Sequence, residues 1–375
     1  MIRILKVHYA LLNGLLRIAQ ALFFGPIPLG KKQAIKKILI FRNGSFGDII
    51  CALPAIVSIQ KNFPNSQIDL MTNSGGASLV SAKNVIDHRL INKFINYLGM
   101  DRRELIRQVR ESGYQLFIEL PQDQASLKAQ LRNIIVVKYL FRIRKGFGWE
   151  IGATRFLKKQ QEKLIKFKDE RTRLLKILER HGLKNYGETF PLHILPEDQL
   201  PVNQLFNENG ISSDDLLIAF VVGAKRPFNR WPIAYFHQVA SHLCQQGYKA
   251  LIVGGPDDTD LAKELIYIPG VYDFTGKLTP MQSGLALQRC QLTISNDTGP
   301  MHLSYAVGTR VIAIFSTRDY PNKWYPPEGN AVFRDENDKN SVSFTETDTN
   351  NECMKAILPE VIMAKAEEFL KEVRR

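Results

Sequence analysis

Cysteine is scarce: the 375 residues hold four, Cys51, Cys244, Cys290 and Cys353, with no C-x-x-C pair and no regular spacing. That excludes a disulfide framework and a spacing-defined zinc site, and it suits a reducing cytoplasm. No Walker A, G-x-S-x-G or H-E-x-x-H pattern occurs, which removes the usual nucleotidase and hydrolase sites. The seven histidines form no ligand set, and neither a low-complexity tract nor a short-period repeat is present. Acid is missing altogether from residues 1–47, which carry eight Lys/Arg. A second basic stretch, 128–184, has seventeen Lys/Arg against five acids, whereas residues 185–375 carry a net −7 within the total of +13. No RNP-like aromatic pair or zinc-finger spacing accompanies this charge, so nucleic acid is not the expected partner. An anionic membrane surface or an acidic, phosphate-bearing substrate fits the basic front half better.

A long unbroken apolar run is missing too. In the first 30 residues Arg17 interrupts the apolar pattern and Gly25-Pro26 ends it, which fits a membrane-spanning helix poorly. No clear A-x-A site follows, which disfavours a cleaved signal peptide. At about 100° per residue, Arg3, Lys6, Asn13, Arg17 and Gln20 share one sector about 100° wide. The leader, 1–35, therefore reads as an amphipathic helix, either an interfacial anchor or a helix packed on the body. The basic stripe favours the membrane, which places the protein at the inner face of the cytoplasmic membrane as a peripheral protein.

What is present is the material of two domains, since 375 residues with 45% hydrophobic content exceed one ordinary core. Short β-branched runs alternate with helical patterns, the mark of βα units on a parallel sheet. Strands are expected at KILIFR (37–42), QIDLMT (67–72), QLFIEL (115–120) and NIIVVKYL (133–140), with a helix from Asp48 towards Asn62. The proline-rich ETFPLHILPEDQLPV lacks either period and marks a link. A second series follows: LLIAFVVGA (216–224), KALIVGG (249–255), LTISN (292–296) and RVIAIF (310–315), with helices between. The expected layout is a first domain over 36–195, a second over 205–350, and a C-terminal helix within 351–375 that packs back on the first domain. Two doubly wound α/β domains facing across a cleft would bind ligands beyond the carboxyl ends of their strands.

The most informative segment is TISNDTGPMHLSYAVGTRVIAIF (293–315). A strand ends in Ser-Asn-Asp-Thr-Gly and a helix starts at once, leaving backbone N–H groups of Thr298, Gly299 and Met301 at the helix end. Such an end holds phosphate; Gly299 permits close approach, Asp297 clamps the loop and Thr298 adds a hydroxyl, although an Asx-turn with an N-cap reads the same way. His302, one residue on, is within reach of a phosphate. In FRNGSFGDIICALPAI (41–56), Gly44 and Gly47 form the turn and Asp48 opens a helix. By local pattern alone Asp48 is an N-cap.

These residues are similar to those of glycosyltransferase family 9, the heptosyltransferases of lipopolysaccharide core assembly. The resemblance rests on SNDTGPMHLSYAVGTRVIAIF and on KILIFRNGSFGDIICALPAIVSIQKNFPNSQIDLMT. Between them, in order, stand YQLFIELPQD, RKGFGW, GAKRPFNRWP, IVGGPDD and FTGKLTPMQSGLALQRC. It spans roughly 36–321 and implies a GT-B fold, with a nucleotide-sugar on the second domain, an acceptor on the first, and inversion at the anomeric carbon. Asp48 is then the general base, since the reaction needs a carboxylate within hydrogen-bond reach of an acceptor hydroxyl. In VVGAKRPFNRWP, Lys225 and Arg230 would meet the departing diphosphate. The family usually shows a lysine where this chain has Asn229. IVGGPDDTDLA resembles a segment that offers an acid, here Asp258, to the ribose. Asp258-Thr259-Asp260 is also a D-x-D pattern, but capping explains the acids, so no metal or other cofactor is expected beyond the nucleotide-sugar substrate, ADP-heptose by resemblance.

The expected activity is therefore inverting, metal-independent transfer of a sugar, heptose from ADP-heptose by resemblance, onto an anionic, lipid-linked acceptor such as a lipopolysaccharide core. Two alternatives stay open: a family member using another nucleotide-sugar for surface polysaccharide, and a GT-B-like sugar-nucleotide epimerase or hydrolase.

Overall fold

The computed structural model describes residues 2–25, 35–73, 80–152, 168–317, 321–335 and 351–373. The side chains of Arg3 and Lys6, and the segment 26–34 that closes the leader, lie outside the described residues. Two compact units result, one ending at His193 and the other starting at Ile194.

The first unit is a five-stranded parallel sheet in the order β3-β2-β1-β4-β5, where β1 is Lys37–Phe41, β2 Gln67–Thr72, β3 Lys93–Asn96, β4 Leu116–Glu119 and β5 Lys145–Phe147. Its helices are α1 (Ile2–Phe24), α2 (Phe46–Asn62), α3 (Arg102–Glu111), α4 (Leu127–Ile135) and α5 (Glu170–Arg180). β1 and β4 read as unbroken apolar runs because both faces of such a sheet are covered. Chain order runs outward from β1 through β2 to β3, then restarts on the other side with β4, so the switch point lies between β1 and β4.

The second unit repeats the scheme with six parallel strands, β11-β10-β9-β6-β7-β8. β6 is Leu217–Val221, β7 Lys249–Ile252, β8 Val271–Asp273, β9 Leu292–Asn296, β10 Arg310–Phe315 and β11 Ala331–Arg334. Around them lie α6 (Gln199–Glu208), α7 (Ile233–Gln245), α8 (Thr259–Ala262), α9 (Pro280–Gln288), α10 (Gly299–Ala306), α11 (Glu352–Lys355) and α12 (Pro359–Val373). Its switch point falls between β6 and β9. In doubly wound sheets the splaying of loops at the switch opens a crevice beyond the strand ends, and each unit therefore has one place where a ligand is expected.

Two expectations are corrected. The run 133–140 is not a strand: α4 starts at the Ser126 cap, whose Oγ accepts from Ala129 N, and continues into a π-turn over Val136–Leu140. Gln130, Ile134, Val137 and Phe141 point inward at three- to four-residue steps while Leu131, Ile135 and Tyr139 point outward, so apolar residues on both faces hid the helical period. The C-terminal helix, expected to return to the first domain, packs within the second unit. Ile362, Ala366, Phe369 and Leu370 join the core that surrounds β6 and β9, and the Trp231 indole donates to Ile357 O at 2.8 Å. Of the two readings of the leader, a helix packed on the body holds for its inner side. Asn13 and Gln20 turn into the protein, with Asn13 Oδ1 accepting from Ile151 N, and α1 is seated by Leu16 and Phe24 in the first unit's core.

Candidate active site

In the first unit the site grows from the carboxyl end of β1. Gly44 takes a φ of +152°, and a Cβ there would fall 2.2 Å from Asp48 Cβ. Only glycine satisfies both demands, so the turn folds back on the first residues of α2. The helix starts two residues earlier than the sequence suggests: Ser45 is the N-cap and Gly47 and Asp48 occupy its first turn. Asp48 Oδ2 accepts from Ser45 N and from Ser45 Oγ, both at 2.8 Å, while Oδ1 meets Arg42 Nη2 at 3.4 Å. The side chain stays 19% exposed. Asp48 is thus a first-turn capping residue and a fixed, open carboxylate at once.

Behind it stands Arg42, fully buried. Its guanidinium donates to Leu120 O at 3.3 Å, Pro121 O at 3.1 Å, Asp48 O at 3.3 Å and Glu170 Oε1 at 3.1 Å. Glu170, at the start of α5, is held from its other side by Arg173 at 2.7 Å. A buried cation survives only with such a set of partners, because an unpaired one would cost several kcal/mol. One planar group therefore ties the ends of β1 and β4, α5 and the first turn of α2 together. The sequence shows Arg42 as one more front-half cation, and Glu170 is too distant along the chain to suggest the pairing.

Beside this network a pocket of about 260 Å³ opens between the ends of β1 and β4, lined by Asn43, Tyr97, Glu119, Gln122, Gln124 and Arg132 among others. Amides, a phenol and a guanidinium around an aromatic wall are the groups that recognise sugar hydroxyls. At its base burial pushes the Glu119 carboxyl from 4.5 up to about 7, against hydrogen bonds from Gln130 and Asn133. The folded protein therefore holds a proton on Glu119 that the unfolded chain releases. Its stabilisation is complete below pH 4.5 and is lost as pH rises through about 7, a change of about 3 kcal/mol at most. Glu119→Gln, neutral throughout, is expected to remove this slope: urea midpoints measured between about pH 5 and 8 should fall for the wild type and stay flatter for the variant. Equal slopes in the two proteins would contradict the assignment.

In the second unit two loops meet at the switch point. Asn296, buried at the end of β9, accepts from Trp231 N at 2.9 Å through Oδ1 and donates from Nδ2 to Val222 O at 2.8 Å. It thereby pins the loop that follows β6, which carries Lys225 and Arg230. Lys225 is exposed; Arg230 is half-buried, its Nε donating to Ala224 O at 2.9 Å. Asn229 is buried inside the turn, so Lys225, Arg226 and Arg230 around it carry the positive charge of this loop.

After β9 the chain passes Asp297 to Thr298, an extended N-cap (φ −158°, ψ 171°) whose hydroxyl makes no cap hydrogen bond, and α10 begins at Gly299. The first-turn amides of Gly299 and Met301 have no carbonyl inside the helix to bond, and Pro300 has no N–H. Met301 offers only its amide, because its side chain is fully buried. His302 turns inward: the imidazole is buried, with Nδ1 2.9 Å from the Tyr305 hydroxyl and its ring edge-on to Trp324. Lys323, unremarked in the sequence, is buried with its ammonium 4.8 Å from the Trp324 ring centre.

Asp258 lies where Gly223 and Gly254 leave room, for a Cβ at Gly223 would fall 1.9 Å from its Oδ1. Oδ2 accepts from Gly255 N at 3.0 Å. Burial raises its pKa, partly offset by that amide and by Arg230. Asp260 points instead to Lys263, 2.7 Å away and exposed, so the two acids of the D-x-D pattern do not converge. Among the described residues no three His, Cys, Asp or Glu gather as a metal-ligand set.

The model of "Glycosyltransferase family 9 (heptosyltransferase)" matches residues 102–354. A relative from Escherichia coli, lipopolysaccharide heptosyltransferase 3, is 23% identical over 302 residues, which cover 76% of this chain and 85% of the relative. Among solved structures, a family 9 glycosyl transferase from Veillonella parvula superposes with a TM-score of 0.70 at 22% identity, covering 90% of this chain and 98% of that one. The E. coli ADP-heptose lipopolysaccharide heptosyltransferase II gives 0.64 at 19% identity, covering 91% and 100%. These likenesses agree with two Rossmann-like units of the GT-B class.

Proposed function

The chain belongs to glycosyltransferase family 9, and on that premise we propose that it transfers heptose from ADP-heptose to a lipopolysaccharide core acceptor, without a metal and with inversion. The observation that carries the reading is Asp48, a carboxylate fixed by Ser45 and Arg42 yet open on one side. The printed names of the relatives support the donor and the acceptor class.

In this reading the acceptor sugar rests in the pocket beside Glu119 with one hydroxyl at Asp48. The carboxylate takes the hydroxyl proton as the oxygen attacks the anomeric carbon. The bond from that carbon to the diphosphate oxygen breaks, and the electron pair leaves on ADP. Attack opposite the leaving group inverts the centre. Lys225, Arg230, the Thr298 hydroxyl and the amides of Gly299 and Met301 meet the new charge on the diphosphate, and Asp258 receives the ribose hydroxyls. His302 supports the turn by packing on Tyr305.

The test is ADP release from ADP-heptose, with and without heptose-deficient lipopolysaccharide, together with the mass of the lipid product. A gain of one heptose only when donor and acceptor are both present, unchanged by a chelator, is the expected result. Donor consumed without acceptor would indicate an epimerase or hydrolase; loss of activity on chelation would remove the metal-free mechanism. Arg230→Met and Lys225→Met are each expected to weaken ADP binding by about 10- to 100-fold, the worth of one charged hydrogen bond, as read by calorimetry. Unchanged affinity in both would move the diphosphate elsewhere.

A further inference from the structure

Helix α1 is apolar on two sides. Tyr9, Leu12, Leu16, Ala19, Phe23 and Phe24 face the first unit's core. On the opposite side Val7, Leu11, Leu15, Ile18 and Leu22 are 58% to 80% exposed. At about 100° per residue these five, with Ala10, Gly14 and Ala21, fill an outward sector of about 140° that contains no charge between Val7 and Leu22, bordered by His8 and Arg17. The stripe runs for about 22 Å along the helix.

A second exposed apolar row, Leu131, Ile135 and Tyr139 on α4 and its π-turn, lies beside α1, whose Phe23 meets Tyr139 edge-on. Beside that row a shallow depression of about 470 Å³ is walled by Leu127, Leu131, Ile135 and Val136 and flanked by Lys128 and Arg132. Monomeric soluble proteins rarely leave rows of large apolar side chains this exposed to water.

We propose that this face lies in the surface of a bilayer containing anionic lipid, with α1 in the membrane plane. Charge selects this occupant. Residues 2–24 contain no acid, and residues 124–149 contain Lys128, Arg132, Lys138, Arg142, Arg144 and Lys145 and no acid. A second copy of the chain would bring like charges together, whereas anionic headgroups neutralise them. By length and composition Val7–Phe24 is able to cross a membrane, but its inner side is committed to the protein. Leu16 and Phe24 are in the core, Asn13 accepts from Ile151 N, and Lys138 and Lys145 donate to the last carbonyls, those of Phe23 and Phe24. A spanning helix would lose all of these, while an in-plane helix keeps them and buries its other side.

Co-sedimentation of the full chain with lipid vesicles tests this without donor or acceptor, so its failure leaves the transferase reading intact. Wild type should pellet with vesicles of phosphatidylcholine plus phosphatidylglycerol, and about tenfold less well with phosphatidylcholine alone. Leu15→Glu/Leu22→Glu should lower binding by about 100-fold, and Leu131→Glu/Ile135→Glu by about tenfold. Leu200→Glu, an exposed leucine of the second unit, should change nothing. Circular dichroism and the thermal midpoint should match wild type for each variant, since the replaced side chains are exposed. Wild type left in solution with the mixed vesicles, or either double variant binding like wild type, would overturn the proposal. So would a wild-type dimer that Leu15→Glu/Leu22→Glu converts to monomer.

Discussion

Asp48→Asn is expected to lower kcat by about 10²- to 10⁴-fold, the usual worth of a positioned general base, with ADP affinity unchanged. The substitution is nearly isosteric, and an amide oxygen still accepts from Ser45 N, so the helix start should survive at a cost of about 1 kcal/mol or less. What goes is the capacity to take a proton. Because the diphosphate contacts proposed above come from the second unit, donor binding should not follow the rate down, and the split between the two readouts separates a lost base from a damaged fold. Gly44→Ala should mimic part of the effect from the other side, since its methyl group would fall 2.2 Å from Asp48 Cβ and force the carboxylate off its place. A rate for Asp48→Asn within about threefold of wild type would end the assignment of the base.

Arg42→Met is expected to destabilise the protein by about 3–5 kcal/mol, lowering the thermal midpoint by about 10 °C. Methionine fills much of the volume, so the loss is electrostatic. Leu120 O and Pro121 O lose a donor, and Glu170 loses one of two cations, all in a site that water does not reach. The rate should fall as well, because Asp48 loses the donor to its Oδ1. A double-mutant cycle with Glu170→Gln should return a coupling energy of about 1–3 kcal/mol, since each partner's deletion already removes the shared contact. Scanning calorimetry reads the midpoint. A shift of less than about 3 °C would mean that the guanidinium holds nothing together.

How much of this could be read from the chain depended on whether a feature was local. The strands β1, β4, β6 and β10 are mainly apolar runs, and burial on both faces of a parallel sheet writes that pattern directly. β3, β5, β8 and β11 have three or four residues each and lie towards the edges, where partners along the sheet rather than composition make a strand. The stretch 133–140 failed for a related reason. A helix that is apolar outward as well as inward has no period to detect, and the outward half becomes intelligible only beside the equally apolar outer side of α1.

The candidate site divides the same way. Asp48 at a helix start, and the 297–301 turn before another, are short-range arrangements of glycine, cap and first-turn amides, and three to five consecutive residues suffice to specify them. The sequence therefore determined the two α/β series, the family resemblance, and the two chain positions at which chemistry is proposed. Tertiary structure decided what holds those positions: Arg42 between Asp48 and Glu170, Asn296 across to Trp231, Glu119 sealed beneath its pocket, and the C-terminal helix against the second core. Each of these joins groups from 65 to 128 residues apart or depends on exclusion from water, and neither distance along a chain nor depth below a surface is a property of any one segment.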